Sequence, residues 1–500
     1  MLPSVGRRRP VETPKLQPPS SLGIPPELWE QTPVAVQMIV IALHERVLQL
    51  EERVLQQQER ICELEARLNQ NSSNSSKPPS SDPPWVNRPK KKSPSGKKPG
   101  GQEGHPGSTR ELLSADEVDA IVDHAPDHCE RCGHALIVGN GPDPVRHQVV
   151  ELPEVKATVT EHRLHACRCE RCGATTRARW PEGVASSAFG PRLQAEIALL
   201  TGRYRMSRRE VMDYAAQVWG VKLSLGSIVG IERRIAAALA APYAEAWEAL
   251  RRASVRNVDE TGWREGSSRS WLWVAVSDEA TGFAIAAKRG SEVLHGLFGE
   301  SLRSGYFGSD RWRAYNVVDM ERRGICHAHL KRDFVKIQER GGYAGLLGWC
   351  LQRVHSAIFE LLSRRRSGAI KEALFQSELD PLKARLHVHL ENGTRCSDKK
   401  VRGMCGDILR HGPALWNFAA VPGLEPTNNV AERALRKAVI WRTGSFGTHR
   451  PSGSRFVERM LTVTETCKQH GRRLIDFLAQ SISAAIFNQP QPTLLPRPAT

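Results

Sequence analysis

The sequence contains no long apolar run. The nearest approach, from Val34 to Leu43, includes Gln37 and is much shorter than the roughly 18 apolar residues of a membrane-spanning helix. The first thirty residues also lack the apolar segment of a secretory signal. The sequence therefore predicts a soluble, cytoplasmic protein with no membrane-spanning segment.

Acidic residues are too scarce to balance the basic ones. The chain has 54 Asp and Glu but 71 Lys and Arg, which gives a formal net charge of +17. An excess of this size favours a polyanionic partner, and DNA, RNA and an acidic membrane surface all meet that description. With 500 residues, the chain is also too long for one compact core and is expected to form about three or four domains.

The cysteines are too unevenly placed for a disulfide framework. Their number, eleven, is odd, and five lie between Cys129 and Cys172, which favours a metal site in a reducing compartment. The segment Cys129-Glu-Arg-Cys132-Gly recurs as Cys169-Glu-Arg-Cys172-Gly, and two such turns present four thiolates to one tetrahedral Zn²⁺. Cys167 is an alternative ligand to Cys169. Because four cysteines leave no position for water, the zinc is predicted to be structural; incidental buried cysteines are the alternative.

Residues 108–182 are predicted to form this zinc-binding module. Val155, Ala157 and Val159 alternate with polar residues, which is typical of a strand. We therefore expect a small β-rich unit similar to a zinc ribbon.

The segment 34–68 carries a heptad pattern. Apolar residues recur there at alternating steps of four and three, with mostly β-branched residues at one position and mainly Leu at the other, which favours a parallel two-stranded coiled coil. We expect a homodimer or a higher oligomer, and a helix packed on its own domain is the alternative. The Pro- and Ser-rich residues 1–33 are predicted to form a flexible tail.

Residues 69–107 are predicted to be a linker with a basic half. Ser, Pro and Gly prevent a helix or strand from extending through it. Lys90, Lys91 and Lys92 lie in the basic half and are candidates for phosphate contacts. A run that only improves solubility is the alternative.

The rest of the chain is predicted to combine helices with one α/β unit. Residues 190–252 are expected to be helical, with Ser207 and Glu210 spaced as a capping box and a break near Gly220, which is compatible with a helix-turn-helix or with an ordinary helical hairpin. From residue 253, three short strands at hairpin spacing predict an antiparallel meander. Alternating strands and helices then indicate an α/β unit at 253–487 with a helical insertion at about 335–420; residues 488–500 are expected to be a flexible tail.

Three carboxylates stand out by position. Asp259 and Asp310 end predicted strands, and Glu432 lies in a predicted helix that an Asn or Thr caps, with Asn428 and Arg436 on the same face at steps of four. Carboxylates from separate segments suit Mg²⁺ or Mn²⁺, and two such ions can promote attack on a phosphodiester. Arg433 and Arg436 would then lie near phosphate. Taken singly, each acid is better explained as a surface residue or as part of an ordinary helix ion pair.

Four motifs together resemble the Asp-Asp-Glu transposases of the insertion sequence 66 type. They are Val258-Asp259-Glu260-Thr261, Ser309-Asp310-Arg311-Trp312-Arg313-Ala314-Tyr315, Cys326-His327-Ala328-His329-Leu330-Lys331-Arg332-Asp333-Phe334 and Asn428-Asn429-Val430-Ala431-Glu432-Arg433-Ala434-Leu435-Arg436. The resemblance covers nearly the whole chain in order. Trp441-Arg442-Thr443-Gly444 departs from the Arg-Lys pair that often follows the last motif in the family, so the chain looks like a divergent branch.

The resemblance implies a multidomain α+β protein with an RNase H-like core. Asp259 and Asp310 would lie on neighbouring strands and Glu432 on a later helix, with the helical insertion between Asp310 and Glu432. It also implies a phosphate contact by Arg332, accessory proteins from the same element, and a place on the bacterial nucleoid.

Cys326, His327 and His329 form a compact cluster of possible metal ligands. We expect them on a strand, where side chains alternate between faces, so all three cannot converge. A structural or DNA-facing role is the prediction, and a second metal cluster is the alternative.

The sequence thus predicts a transposase. It would hydrolyse a phosphodiester at an element end, and the exposed 3′-hydroxyl would then attack target DNA, with Mg²⁺ or Mn²⁺ held by Asp259, Asp310 and Glu432. Two alternatives remain: a DNA-binding regulator without catalysis, and a structure-specific nuclease that cuts branched DNA but never joins strands.

Overall fold

The computed structural model describes residues 16–68, 70–71, 75, 110–137, 143–181, 183–184 and 187–496. Lys90, Lys91 and Lys92, like most of the predicted linker, lie outside these residues. The described chain is a mixed α+β protein. None of its helices combines the length and the apolarity that crossing a bilayer requires.

The N-terminal part is dominated by one long helix. Helix α1 (Pro26–Gln31) is followed by α2 (Val34–Leu68), which has 35 residues. Apolar residues of the heptad pattern, such as Val47, Val54 and Ile61, are at least half exposed. An exposed apolar stripe is what a coiled coil requires of a single chain, and the pairing itself stays a prediction.

The cysteine module consists of two similar turns. In each, a glycine N–H donates to the carbonyl of the first cysteine, from Gly133 to Cys129 and from Gly173 to Cys169, both at 2.8 Å. Strands β1 (Ala166–Arg168) and β2 (Thr175–Arg177) flank the second turn as an antiparallel pair. The two turns thus adopt the same conformation, as the repeated motif predicts.

Backbone N–H groups act on the first thiol of each turn. They lower the pKa of Cys129, chiefly through Arg131, and the pKa of Cys169, chiefly through Cys172. Within the described residues, however, no three cysteines of the module have their sulfur atoms within 4.8 Å of one another. The zinc tetrad therefore stays a prediction.

The strand predicted at residues 155–160 is not formed. This segment has no ladder partner within the described residues. Val155 and Val159 are exposed, so the apolar residues of this segment do not pack against a core. The prediction of a strand was wrong.

The helical segment contains a small apolar core of its own, formed between its first three helices. It comprises α3 (Pro191–Ala198), α4 (Arg208–Trp219), α5 (Leu225–Ala238) and α6 (Ala240–Arg252). Ser207 and Glu210 form the predicted capping box, and Gly220 ends α4 with a φ of 66°, a left-handed conformation that glycine adopts without strain. Helix α5 also packs against two helices from the C-terminal part of the chain.

A five-stranded mixed sheet forms the centre of the C-terminal part. Its strands are β3 (Val255–Glu265), β4 (Ser268–Val276), β5 (Thr281–Ala286), β6 (Tyr306–Ser309) and β7 (Arg323–Ile325), in the order β5-β4-β3-β6-β7. The predicted meander is present, because β3, β4 and β5 are antiparallel, while β6 and β7 run parallel to β3. Strand β3 extends six residues past Asp259 because β4 pairs with it as far as Glu265. The sequence had indicated that Asp259 ends its strand. In the structure Asp259 lies within the strand.

Helices cover the sheet and form the insertion. They are α7 (Ser291–Phe298), α8 (His327–Gln338), α9 (Gly342–Arg366), α10 (Glu372–Thr394), α11 (Lys399–Arg410), α12 (Asn417–Ala420), α13 (Asn429–Ser445), α14 (Pro451–Gln469) and α15 (Leu474–Ile486). One apolar core joins the sheet to α6, α7 and α13–α15. A second core joins α8–α12 to Ile325 of β7, so the insertion packs against the end strand of the sheet.

Candidate active site

Two acids lie side by side at the centre of the sheet. Asn257 of β3 pairs with Gly308 of β6 in the parallel register. Two residues further along the chain lie Asp259, within β3, and Asp310, directly after β6. Because side chains alternate along a strand, the two carboxylates face the same side, and both are half-buried.

The third acid is carried to the same place by α13. This helix packs on β3 and β4, and Glu432 lies in its first turn. The Asn428 side chain fixes the start of the helix, since its Nδ2 donates to the Val258 carbonyl at 2.8 Å and its Oδ1 accepts from Asn257 Nδ2 at 3.0 Å. Asn428 thus attaches the Glu432 helix to the strand that carries Asp259.

These contacts correct two details of the predicted helix. The Asn428 side chain makes no capping bond to its own helix, because it is used on β3. Asn428 is buried, Glu432 half-buried and Arg436 exposed, so the three do not present one surface.

The far end of α13 is attached to the same strand. Thr448, just after the helix, donates its N–H to the Arg264 carbonyl at 2.9 Å and accepts from the Gly266 N–H at 2.7 Å. Arg442 also donates to Thr261 Oγ1 at 3.2 Å and to the Gly262 carbonyl. Helix α13 is therefore held to β3 at both of its ends.

The electrostatics show that the other two acids act on Asp259. Burial raises the pKa of Asp259 well above its ordinary value, and the negative charges of Glu260, Asp310 and Glu432 raise it further. One oxygen of Glu432, Oε1, is shielded from solvent and has no hydrogen-bond partner in the described part of the chain. A cluster of carboxylates is unfavourable without a compensating cation, so the donor set fits a divalent metal.

Glu260 is a fourth carboxylate with a different role. It alternates to the other face of β3, where Arg289 Nη2 lies 2.7 Å from its Oε1 and the Tyr315 hydroxyl donates to its Oε2. Burial raises the pKa of Glu260, and the Tyr315 hydrogen bond and the Arg289 charge oppose that rise. With both oxygens engaged, Glu260 stabilises the core beneath the site.

The loop after β6 is fixed by its neighbours. Asp310 Oδ1 accepts from the Trp312 N–H at 2.8 Å, and Arg323 Nη2 donates to the Asp310 carbonyl at 2.7 Å. Arg311 next to it forms ion pairs with Asp333 of α8 and Asp407 of α11. The helical insertion thus helps to hold the loop that carries the second acid.

The cluster of Cys326, His327 and His329 lies at the start of a helix. The sequence analysis had predicted a strand there, and that prediction was wrong. Strand β7 ends at Ile325, and Cys326 is the N-cap residue of α8. His327 points away, with Nε2 2.9 Å from the Leu415 carbonyl. His329, one half-turn later, has its Nδ1 3.8 Å from Glu432 Oε1.

Two of those three residues do converge, together with Glu432. One ligand atom from each of Cys326, His329 and Glu432 lies within 4.8 Å of the others. The expectation that the three could not all converge holds for His327, which is directed elsewhere. The strand geometry behind it was wrong, because a helix brings positions three apart onto one face.

The predicted phosphate contacts surround the site unevenly. Arg332 is half-buried, and its positive charge lowers the pKa of His329, after burial the largest cause, so it lies beside the acids. Arg433 and Arg436 are exposed on α13.

A basic cleft, which the sequence reasoning missed, lies at the other end of α13. It has a volume of about 930 Å³, and its arginines are Arg205, Arg208, Arg209, Arg233 and Arg450. Glu232 pairs with Arg208 at 2.7 Å, and Glu210 belongs to the capping box. The cleft is formed by α4, α5 and the segment around 444–457, which are far apart in sequence. The only local signal was the Arg208-Arg209 pair after Ser207.

Comparison with known proteins agrees with this geometry. The family model described as "Transposase IS66 family" matches residues 186–455, which is more than half of the chain and includes all three acids, Cys326 and His329. A second model, of a family of unknown function (DUF6444), matches residues 26–111. No curated protein matches the chain.

Proposed function

Because the chain belongs to the IS66 family of transposases, we propose that it cleaves phosphodiester bonds at the ends of an insertion sequence and joins the 3′ ends to target DNA. One observation carries the proposal: the negative charges of Asp310 and Glu432 both act on Asp259, although the three acids come from distant parts of the chain.

The strand order supports an RNase H-like core. Three antiparallel strands are followed by two that run parallel to the first. The first acid lies on the central strand β3, the second directly follows its parallel neighbour β6, and the third lies on a helix packed over β3. This is the arrangement that the resemblance to the family implies.

The acids would hold Mg²⁺ or Mn²⁺, which supplies charge stabilisation at the reacting phosphate when bound. The chain itself orients the ligands: Asn428 holds the Glu432 helix on β3, the Glu260 N–H donates to Asp259 Oδ1 at 2.9 Å, and the Trp312 N–H does the same for Asp310. In the first reaction water attacks phosphorus and the bond to the 3′ oxygen breaks. In the second the 3′-hydroxyl attacks a target phosphodiester and releases another 3′-hydroxyl.

DNA would lie along α13, between the acids and the basic cleft. The helix from Glu432 to Ser445 is about 20 Å long at about 1.5 Å per residue, which corresponds to roughly six base pairs at about 3.4 Å each. Ser445 lines the cleft. One duplex can therefore contact Arg332 near the acids and the arginines of the cleft.

The remaining parts would assemble the complex. The matched turns support a structural zinc held by Cys129, Cys132, Cys169 and Cys172, with Cys167 as the alternate ligand. The exposed heptad stripe of α2 supports a homodimer or higher oligomer that brings two DNA ends together. Accessory proteins of the same element would complete the reaction.

The experiment that tests the function is movement of the native element from a plasmid in cells, with its neighbouring genes and flanking DNA retained. The wild-type chain is compared with Glu432→Gln and with Glu300→Gln, a control whose side chain is exposed. We expect joined products with the wild type and the control and none with Glu432→Gln. Movement with Glu432→Gln would remove this residue from the mechanism, and cut but unjoined DNA would indicate a nuclease.

A further inference from the structure

Glu432 belongs to a second group of potential metal ligands, whose other two members are not carboxylates. It combines the sulfur of Cys326, an imidazole nitrogen of His329 and a carboxylate oxygen of Glu432, with one atom from each within 4.8 Å of the others. Cys326 precedes α8, His329 lies in its first turn, and Glu432 comes from α13. The group is therefore built by packing one helix start against another.

Two atoms in this group have no partner. His329 Nδ1 and Glu432 Oε1 are shielded from solvent and form no hydrogen bond among the residues described. They are 3.8 Å apart, which is too far for a hydrogen bond between them. Leaving buried polar atoms unpaired is unfavourable, and a cation bound to both would remove that cost.

The sulfur atom is also placed to act as a ligand. Cys326 is buried, and its Sγ accepts the Asn428 N–H at 3.2 Å. Burial raises the pKa of the thiol and the negative charge of Glu432 adds to the rise, while the N–H groups of Asn428, His329 and Ala328 oppose it. N–H groups at a helix start stabilise a thiolate, so a metal that displaces the thiol proton finds the negative sulfur already hydrogen-bonded.

We infer that Cys326, His329 and Glu432 form a binding site for a soft divalent ion of the zinc class. Sulfur, imidazole and carboxylate are zinc ligands, and three of them leave a fourth position open for water or a ligand. Mg²⁺ prefers oxygen ligands and would not bind the sulfur. The inference rests on the proposed function in one respect, namely that Glu432 also serves the catalytic ions.

Sharing Glu432 makes the site regulatory. An ion held by Cys326 and His329 draws the Glu432 carboxylate towards it, and the catalytic ions then lose one of their three ligands. Zinc would accordingly inhibit strand cleavage in competition with Mg²⁺.

The test uses the full chain and Co²⁺, whose bond to a thiolate gives a charge-transfer absorption. We expect one more Co²⁺ per chain in the wild type than in Cys326→Ser, and a thiolate band in the difference spectrum of the two. Because the cysteine module is the same in both proteins, its contribution cancels. His329→Gln is expected to weaken the binding of this Co²⁺ ion at least about tenfold. Cys350 is a partly buried cysteine elsewhere in the chain, and Cys350→Ser is expected to bind as much Co²⁺ as the wild type.

A difference spectrum without a thiolate band would overturn the site. So would unchanged Co²⁺ affinity in both His329→Gln and Glu432→Gln. Serine preserves the volume at Cys326, and His329 is partly exposed, so at least one variant is expected to fold; circular dichroism checks both.

The regulatory part has its own measurement. Zinc is titrated into Mg²⁺-dependent cleavage, and inhibition is expressed relative to each protein's zinc-free rate. We expect Cys326→Ser to need at least about tenfold more zinc than the wild type for half inhibition, and equal requirements would overturn the regulatory role. A Co²⁺ band with no cleavage in any protein would contradict the proposed function and leave the metal site standing.

Discussion

The cysteine module and the candidate active site both contain side chains that can bind metal, but they are built by opposite means. In the module the cysteines lie three residues apart within each turn, most are exposed, and the local backbone alone shapes them. In the active site the acids come from positions 259, 310 and 432 and are fixed by a sheet, a buried asparagine and an apolar core. A local site of this kind is expected to depend on a metal for order, whereas packing alone brings the acids together.

The comparison can be sharpened by asking which region holds DNA. Replacing both Arg209 and Arg233 of the basic cleft by alanine is expected to weaken duplex binding about a hundredfold or more, since hydrogen bonds of charged groups contribute about 1.5–3 kcal/mol each. The slope of log affinity against log salt should become shallower by about 2, one for each lost phosphate contact. Titration at several salt concentrations measures both quantities.

The control is a double variant outside the cleft, Arg252→Ala with Arg303→Ala, two exposed arginines. If it weakens binding as much as the cleft variant does, the effect is one of net charge. An unchanged slope in the cleft variant would assign DNA binding to the module or the linker.

Removal of metal should separate the two regions most directly. A chelator is expected to make residues 110–181 exchange their amide hydrogens rapidly, because the metal supplies most of the folding energy of such a unit. Exchange in β3, β4 and α13 should stay slow, since an apolar core holds them. Hydrogen exchange followed by mass spectrometry measures both in one sample. Slow exchange in the module after chelation would mean that it folds without zinc, and the contrast would fail.

The smallest expected effect concerns stability and the charge of Asp259. In the metal-free chain, the raised pKa of Asp259 means that the folded protein favours the neutral carboxyl. Stability is therefore lost as pH rises from the unfolded value, ordinarily 3.8, towards the higher folded value. Asp259→Asn cannot ionise, so it should be more stable than the wild type at pH 7 and gain least at low pH.

Thermal unfolding with a chelator present, at pH 4 and pH 7, measures this difference. Adding Mg²⁺ should reduce it, because the ion stabilises the ionised wild type. A variant less stable than the wild type at pH 7 would show that hydrogen bonds to Asp259 outweigh its charge repulsion. Asp278→Asn, in an exposed turn between β4 and β5, is the matched control.

Much of the fold could be predicted from local signals. The meander, the capping box at Ser207 and the helical insertion follow from alternation, capping chemistry and periodicity, which act over a few residues. The resemblance to the family indicated the three acids, and the structure places them together. The family itself is confirmed by the match over residues 186–455.

The errors arose where tertiary contacts decide. Strand β3 outlasts its predicted end because a neighbouring strand pairs with Glu260–Glu265, and Val155 and Val159 form no strand because none pairs with them. Asn428 is a residue type that often caps helices, but its side chain hydrogen-bonds to β3 instead. Cys326 appeared to continue a strand, although β7 ends one residue earlier. The basic cleft joins segments about 240 residues apart, which no local pattern reveals.

The double attachment of α13 to β3 limits how this enzyme can be switched on. Asn428 fastens the helix near Val258, and Thr448 fastens its other end near Arg264. A duplex that presses on the cleft cannot slide the helix without bending the central strand of the sheet. Arrival of DNA at one end is therefore not relayed to Glu432 as a movement of the helix. Under the proposed function, control over cutting would come from what reaches the acids: the ion that they hold, the strand presented to them, and the pairing of two chains around two ends.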